Sequence, residues 1–367
     1  MRVLMVATSY PANLGDWRGL FIRHVADALA RRGDTHLSLW APPGEVPANA
    51  RYVATRDEAH WLAQLMQAGG VAHLMRTQGV RGLATPLGLL RMLRSLYVRE
   101  TDIDALHVNW LQNAIALPRN RIPLLVTVLG SDLALLRLPG MAALLRRVFR
   151  GRRVFICPNA AWMVPQLKQR FGDLAQVRHV PFGIDPCWYA VEHAPASPSR
   201  WLCVSRLTKG KIGTLFAWGE AAFAGTNREL HLFGPMQEEM EIPDWVHYHG
   251  PASPKALCED WFPTARGLVS LSAHAEGLPQ VMLEAMAAGL PILASRIAAH
   301  EDLLQHESTG WLCGSADDFA AALDALDEDA LGRKVGQRAH DFVRTRVGTW
   351  DDCAARYADI HRELVAS

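Results

Sequence analysis

No run of eighteen or more apolar residues occurs in this 367-residue chain, so no helix of it is expected to span a membrane. No C-x-x-C pair occurs among the six cysteines (Cys157, Cys187, Cys203, Cys258, Cys313 and Cys353). Their scatter argues against a zinc site or a disulfide framework and for a reducing cytoplasm. The histidines show no metal-ligand spacing, and no metal is expected. No G-x-G-x-x-G follows the first apolar run, which weighs against a dinucleotide dehydrogenase. A Walker loop and a G-x-S-x-G elbow are missing too, as are internal repeats and low-complexity segments. Met1 to Ser9 is short and apolar without a basic lead or a small-residue cleavage site, so it reads as a first strand and not as a signal peptide.

Half of the residues are hydrophobic, a fifth are charged and the mean hydropathy is near zero, the composition of a soluble globular protein. The length suits two domains better than one. The formal net charge of +1 hides an asymmetry. Residues 1–185 hold 23 Lys and Arg against 12 Asp and Glu, a net +11, whereas residues 186–367 hold 15 against 25, a net −10. A basic first half favours anionic partners, such as a membrane surface or a phosphate-bearing acceptor. The plainer reading is a solvated surface in a protein that uses few lysines. Nothing suggests nucleic acid.

Short apolar runs alternate with amphipathic stretches. Strands are expected at Val3–Thr8, His36–Trp40, Ala105–Val108, Leu124–Val128, Val154–Cys157 and Val177–Val180, with helices at Phe21–Arg32, Met141–Arg150 and Ala161–Phe171. The segment from Arg51 to Glu100 reads as helical, with breaks at Gly69-Gly70 and Pro86. The alternation pauses near Pro181–Ser199, where four prolines cluster, and then restarts. The second set is strands Trp201–Val204, Leu230–Phe233, Val246–His249, Gly267–Leu271 and Pro291–Ala294, with helices at Thr214–Ala224, Gln280–Ala288 and across Asp317–Arg346. This predicts an α/β chain with two doubly wound parallel-sheet domains and a ligand cleft at their strand ends.

One segment stands out: His274-Ala-Glu276-Gly277-Leu278-Pro279-Gln280-Val281-Met282-Leu283-Glu284-Ala-Met-Ala-Ala-Gly289. Glu276 stands between a strand and a helix. If Gly277 to Gln280 form the first helical turn, their free N–H groups make an anion site. Glu284 then follows about two turns on, able to bind a second hydroxyl-rich part of one ligand. A bare E-x7-E is more often a cap and an exposed helical residue. The flanking residues, however, resemble the donor-binding signature of glycosyltransferases family 4, which has the GT-B fold and retains anomeric configuration.

The resemblance extends along nearly the whole chain. Val204-Ser205-Arg206-Leu207 with Lys211 resembles the family's glycine-arginine-leucine strand end and following lysine, with Ser205 in place of glycine and Ile212 where a second glycine is common. Gly183-Ile184-Asp185, the turns at Gly234 and Gly250, Glu301 at a later helix, the Trp350–Leu364 helix and the Ser9–His24 loop with Gly15 and Gly19 keep the same order. The resemblance implies that Arg206 and Lys211 hold the diphosphate and that Glu276, with N–H groups near Gly277, Leu278 and Pro279, binds sugar hydroxyls. Glu284 would bind ribose, while Gly19, Gly130 and Gly234 would line the donor. It further implies retaining transfer without cofactor or essential metal: the acceptor attacks on the face from which phosphate leaves, and the phosphate acts as base. The domains would be 1–185 on the acceptor side, 186–348 on the nucleotide-sugar side, and 349–367 as a helix packing back on the first.

Val126-Thr-Val-Leu129-Gly130-Ser131-Asp132 departs from the family's Thr-x-His-Gly-Ser-Asp, with Leu129 replacing the histidine near the donor sugar's sixth carbon. An apolar side chain suits a sugar lacking the 6-hydroxyl. His107, Leu129 and Asp132 are the candidate acceptor or sugar-side residues, and His24 is a weaker one. The stretch from Arg76 to Arg99, with Arg91, Arg94 and Tyr97 beside Leu89, Leu90 and Leu93, reads either as a buried helix with a charged rim or as an interfacial surface that could meet a membrane. The expected function is a cytoplasmic or membrane-peripheral glycosyltransferase for surface polysaccharides or glycoconjugates, moving sugar from a nucleotide-sugar to a glycan or lipid-linked acceptor. The alternative is a GT-B nucleotide-sugar-binding protein that is non-catalytic or of isomerase or phosphorylase type.

Overall fold

The structure, a computed structural model, describes residues 1–69, 84–274 and 276–366. The chain divides into two compact units, Met1–Phe182 with Trp350–Ser367, and Gly183–Thr349. Both are parallel sheets covered by helices.

Among the described residues the first unit has seven strands: β1 (Arg2–Val6), β2 (His36–Trp40), β3 (Ala50–Tyr52), β4 (Ala105–Asn109), β5 (Leu124–Val128), β6 (Val154–Pro158) and β7 (Gln176–Val177). Their order is β3-β2-β1-β4-β5-β6-β7, so the winding reverses between β1 and β4. Every residue of β4, β5 and β6 is buried, which is why these strands read as mostly apolar runs and not as alternating ones. The helices are α1 (Leu20–Ala30), α2 (Arg56–Gln67), α3 (Ala84–Arg99), α4 (Gly130–Leu135), α5 (Met141–Phe149) and α6 (Val164–Phe171). The C-terminal helix Trp350–Ala366 joins this unit, burying Cys353, Tyr357, Ile360 and Leu364 in one core with α1.

Three expectations are corrected here. The helical reading of Arg51 to Glu100 misses β3, whose three residues pair with the edge of β2. A run this short has too few side chains to show a period of two. The strand expected at Val177–Val180 shrinks to Gln176–Val177, although the Arg178 and Val180 N–H groups still donate to the carbonyls of Ile156 and Pro158. The apolar face proposed for a membrane is core: Leu89, Leu93, Leu96 and Tyr97 of α3 are buried, and the Tyr97 hydroxyl donates to the Asn113 carbonyl at 2.7 Å. Arg91 and Arg94 are exposed without that apolar face beside them. Arg76, like Gly70, lies outside the described residues.

The second unit has six strands: β8 (Ser199–Val204), β9 (Arg228–Phe233), β10 (Val246–Gly250), β11 (Gly267–Ser270), β12 (Ile292–Ser295) and β13 (Trp311–Cys313). The order is β10-β9-β8-β11-β12-β13, with the reversal between β8 and β11. Its helices are α7 (Pro186–Tyr189), α8 (Lys209–Ile212), α9 (Leu215–Phe223), α10 (Pro254–Ala256), α11 (Gln280–Ala287), α12 (Ala298–Leu303), α13 (Ala316–Asp327) and α14 (Asp329–Arg346). The unit begins at Gly183, three residues before the 186 of the sequence reading, because Ile184 is fully buried in its core and its N–H donates to Gly348. The edge strand β13 was not anticipated.

Candidate active site

In a doubly wound sheet, ligands bind beyond the carboxyl ends of the strands where the winding reverses. In the second unit that point lies between β8 and β11, and the loops after these two strands carry Lys211 and Glu276. Local chemistry forces the loops together. Thr208 caps α8, its hydroxyl accepting the Lys211 N–H at 3.3 Å. Gly213 follows with φ +57°, and a Cβ there would sit 2.0 Å from the Leu271 carbonyl oxygen, so only glycine lets the α8 turn lie on the end of β11. The Ala273 N–H and the Ser272 hydroxyl donate to the Gly210 carbonyl at 2.8 and 3.3 Å.

Across this joint Lys211 Nζ meets Glu276 Oε1 at 2.5 Å, with side chains only 15% and 12% exposed. Burial lowers the Lys211 pKa, the Glu276 charge opposes that shift, and Arg206 adds to it. Arg206 is exposed, with Nη1 3.4 Å from Gln237 Oε1. The arrangement is therefore a buried lysine–carboxylate pair at a strand end, with a second cation, Arg206, close enough for its charge to act on Lys211, able to take an anionic group and hydroxyls together.

The loop before α11 differs from expectation. Gly277, Leu278 and Pro279 precede the helix, which starts at Gln280 with Pro279 as its cap. Proline disfavours helical backbone in the residue before it, so Leu278 cannot open the helix. The N–H groups of Met282 and Leu283 reach the Pro279 carbonyl, at 3.1 and 3.3 Å. Within the first turn, the N–H groups that face away from the helix are those of Gln280 and Val281.

Glu284 lies on the next turn. The residue as a whole is only half-buried, but desolvation of its carboxyl, then the charge of Asp185, pushes its pKa up to about 7. Asp185 caps α7, accepting the Cys187 N–H at 3.0 Å. One residue of this neighbourhood escaped the sequence reading. His300 on α12 is fully buried, its Nδ1 2.9 Å from the Ser295 carbonyl, and it feels the charges of both Glu276 and Lys211. The only signal was its place beside Glu301, which is itself exposed.

In the first unit, two candidates are corrected. His107 lies within β4, fully buried, with Nε2 2.9 Å from Thr127 Oγ1 and its ring against Tyr357 and His361. Burial drives its pKa well down, which makes it a neutral core residue. Asp132 is 1% exposed and its carboxylate accepts the N–H groups of Leu129 and Leu111, both at 2.8 Å. It holds two turns together and does not face a ligand. Leu129 caps α4 and is half-buried against the core, with Gly130 as the first helical residue. Gly19 has φ +70°, and a Cβ there would lie 2.7 Å from the Ser9 carbonyl carbon. His24 stacks on Trp350 at 4.9 Å.

Burial also raises the Asp132 pKa to about 7. Asp132 and Glu284 thus keep protons in the folded protein where the unfolded chain, with values of 3.8 and 4.5, has lost them. Between those values and 7 the folded state binds more protons, so both groups make stability fall as pH rises. Glu284→Gln removes that dependence, and its melting temperature relative to wild type is expected to climb from pH 5 to pH 8. A difference that stays constant across that range would refute the assignment.

The sequence model of the family Glycosyl transferases group 1 matches residues 199–329, which include β8 to β13, Arg206, Lys211, Glu276 and Glu284. Those residues form a group 1 glycosyltransferase domain. This glycosyltransferase is 24% identical to the GDP-mannose-dependent alpha-(1-6)-phosphatidylinositol monomannoside mannosyltransferase of Mycobacterium tuberculosis, over 98% of both chains. A shorter match, 34% over 79 residues and 21% of each chain, is to the N-acetyl-alpha-D-glucosaminyl L-malate synthase of Bacillus anthracis. Among solved structures, sucrose-phosphate synthase from Thermosynechococcus elongatus superposes with a TM-score of 0.73 at 16% identity, covering 100% of this chain and 99% of the other. The Anabaena protein HepE in complex with UDP and glucose follows at 0.66 and 15%, covering 98% and 99%. The fold of this glycosyltransferase is GT-B, two Rossmann-like α/β units, and the enzyme acts on sugar donors. Among the described residues no helix is long and apolar enough to cross a membrane, and no group of three or more His, Cys, Asp or Glu is placed to hold a metal.

Proposed function

We propose that this glycosyltransferase binds a nucleoside-diphosphate sugar on its second unit and transfers the sugar, with retention, to a glycan or lipid-linked acceptor of surface polysaccharide or glycoconjugate synthesis. The observation that carries this reading is the Lys211–Glu276 pair at the β8/β11 reversal, with Arg206 on the same turn. Arg206 and Lys211 neutralise the leaving diphosphate, whose charge grows as the glycosidic bond breaks. Glu276 accepts from sugar hydroxyls once ligand phosphate competes for Lys211. Glu284 accepts from ribose hydroxyls. The reaction needs neither a protein nucleophile nor a metal, because the departing phosphate takes the acceptor's proton on the face it leaves.

The relatives' names support the donor class: one is GDP-mannose-dependent and a structural neighbour is complexed with UDP and glucose. The mycobacterial name also gives an alpha-(1-6) linkage, which is retention when the nucleotide-sugar is itself alpha-linked. Leu129 favours a donor sugar without a 6-hydroxyl.

A thermal-shift screen over UDP-, GDP-, dTDP- and ADP-sugars tests the donor. At a hundred times its dissociation constant the right donor adds about 2.7 kcal/mol, or roughly 5–10 °C for units of this size. Transfer then has to survive EDTA and give a product whose anomeric carbon keeps the donor's configuration by NMR. A flat screen, loss of transfer in EDTA, or an inverted product each removes the corresponding part of the reading. Binding without any nucleotide release would favour the non-catalytic alternative.

A further inference from the structure

The first unit has its own reversal point, between β1 and β4, and the residue that follows β4 there is Trp110. Its backbone is unusual. Trp110 has φ +65° and ψ 136°, a region that bulky residues avoid because the Cβ crowds the backbone, and only one other described non-glycine residue, Glu307, has positive φ. Such strain persists where the surroundings over-determine it, and here they do. The Trp110 N–H donates to the Thr127 carbonyl at 2.9 Å. The next N–H, that of Leu111, is held by the buried Asp132 carboxylate, which at the same time holds the Leu129 N–H. Asn109 ties the strand end to the Val6 carbonyl of β1 at 3.1 Å.

The strain fixes a large ring in one place. The indole is half-buried, edge-on to Phe21 at 6.1 Å, with Phe21 stacked on Phe182 at 5.0 Å. Leu129, at the end of neighbouring β5, packs on the same cluster. A glycine at position 110 would relieve the backbone; the chain carries its largest side chain there instead. That choice places an apolar, π-bearing surface at a ligand-binding point of the sheet, rigid before any ligand arrives.

We propose that Trp110 forms a pyranose platform on the first unit, the indole stacking on the apolar C–H face of the acceptor's sugar ring, with Asp132 as the positioning residue that holds both turns. This rests on the glycosyltransferase reading for the word acceptor; the platform itself does not. Stacking of this kind is expected to change affinity threefold to tenfold, about 0.7–1.4 kcal/mol at 1.4 kcal/mol per tenfold.

The test is saturation-transfer NMR on the whole protein with methyl α-pyranosides of mannose, glucose, galactose and rhamnose, in the presence of UDP or GDP. Wild type is expected to saturate the ring protons of at least one of them, most strongly on one face of the ring. Trp110→Ala weakens that pyranoside threefold to tenfold, whereas Trp110→Phe retains most of it. Trp110→Gly, which suits the positive φ and guards against misfolding, loses binding as Trp110→Ala does. Asp132→Asn lowers pyranoside affinity while leaving nucleotide saturation unchanged, which a merely structural loss would not do. No saturation of any pyranoside in wild type, or undiminished saturation in Trp110→Ala and Trp110→Gly, overturns the proposal. Displacement of the pyranoside by a sugar nucleotide but not by the bare nucleotide would assign the platform to the donor's sugar and overturn the acceptor assignment. The nucleotide's own protons report donor binding separately, so a failure of the donor reading shows as their silence.

Discussion

Replacing Lys211 with methionine is expected to lower nucleotide release from the preferred sugar donor by about 10²–10³-fold, the usual effect of removing one preorganised donor to a developing charge. The geometry makes the effect large for two reasons. Lys211 is mostly buried, so its charge acts through a medium that screens poorly, and burial already holds its pKa down. Its position is also prepaid by the Thr208 cap, the Gly213 close approach and the Ala273–Gly210 hydrogen bond. Methionine keeps the length and the packing of the stem. It leaves Glu276 without its partner, and the melting temperature is expected to fall with it. The double variant Lys211→Met, Glu276→Gln removes the unpaired charge and is expected to recover stability without recovering activity. If activity returned with stability, or if the single variant released nucleotide at the wild-type rate, Lys211 would be a structural ion pair and nothing more. Arginine is a poor substitute, because its planar fork cannot occupy the volume of a compact ammonium in a closed joint.

Much of this arrangement was legible in the sequence, and the limits of that reading are physical. Strands β2 and β5 appear at the expected residues, and β6, β8, β9 and β10 within one or two; for β5 and β6 the reason is burial on both faces, which makes a strand an apolar run. The three-residue edge strands β3 and β13 did not appear, since their pairing comes from a neighbour and not from their own pattern. The register of Arg206, Lys211, Glu276 and Glu284 was legible from the resemblance. That Lys211 touches Glu276 was not, because sixty-five positions separate them and only the parallel pairing of β8 with β11 brings their loops together. His107 misled because a histidine inside an apolar run looks chemical, whereas its contacts with Thr127 and Tyr357 place it in the core. Trp110 went unremarked because backbone strain leaves no mark on sequence: tryptophan at a strand end is ordinary until its φ is known.

The other large effect is expected at Gly234, where alanine would harm the fold and the donor site together. Gly234 has φ +136°, a backbone open essentially to glycine alone, so any side chain is strained there whatever the space. The space is missing as well: a Cβ would lie 1.8 Å from the Ser205 carbonyl oxygen and 2.6 Å from its carbon, both backbone atoms that no rotamer change can move. Either the chain end of β9 or that of β8 has to give way. The Ser205 N–H bonded to the Phe233 carbonyl and the Gly234 N–H bonded to Gly250, both at 2.9 Å, resist that movement. Two mechanisms of large destabilisation thus coincide, and Gly234→Ala is expected to cost about 3 kcal/mol or more, lowering the melting temperature by roughly 6–12 °C. Gly225→Ala is the comparison that separates them. Gly225 also has positive φ, +70°, but a Cβ there meets nothing within 4 Å, so only the backbone penalty of about 1 kcal/mol remains. Because the displaced carbonyl belongs to the residue before Arg206, Gly234→Ala is further expected to weaken sugar-nucleotide binding at temperatures where the protein is still folded, while Gly225→Ala leaves it unchanged. Equal melting temperatures for the two variants would mean that the β8 and β9 ends separate freely, and the rigid placement of Arg206 argued from that contact would fail with them.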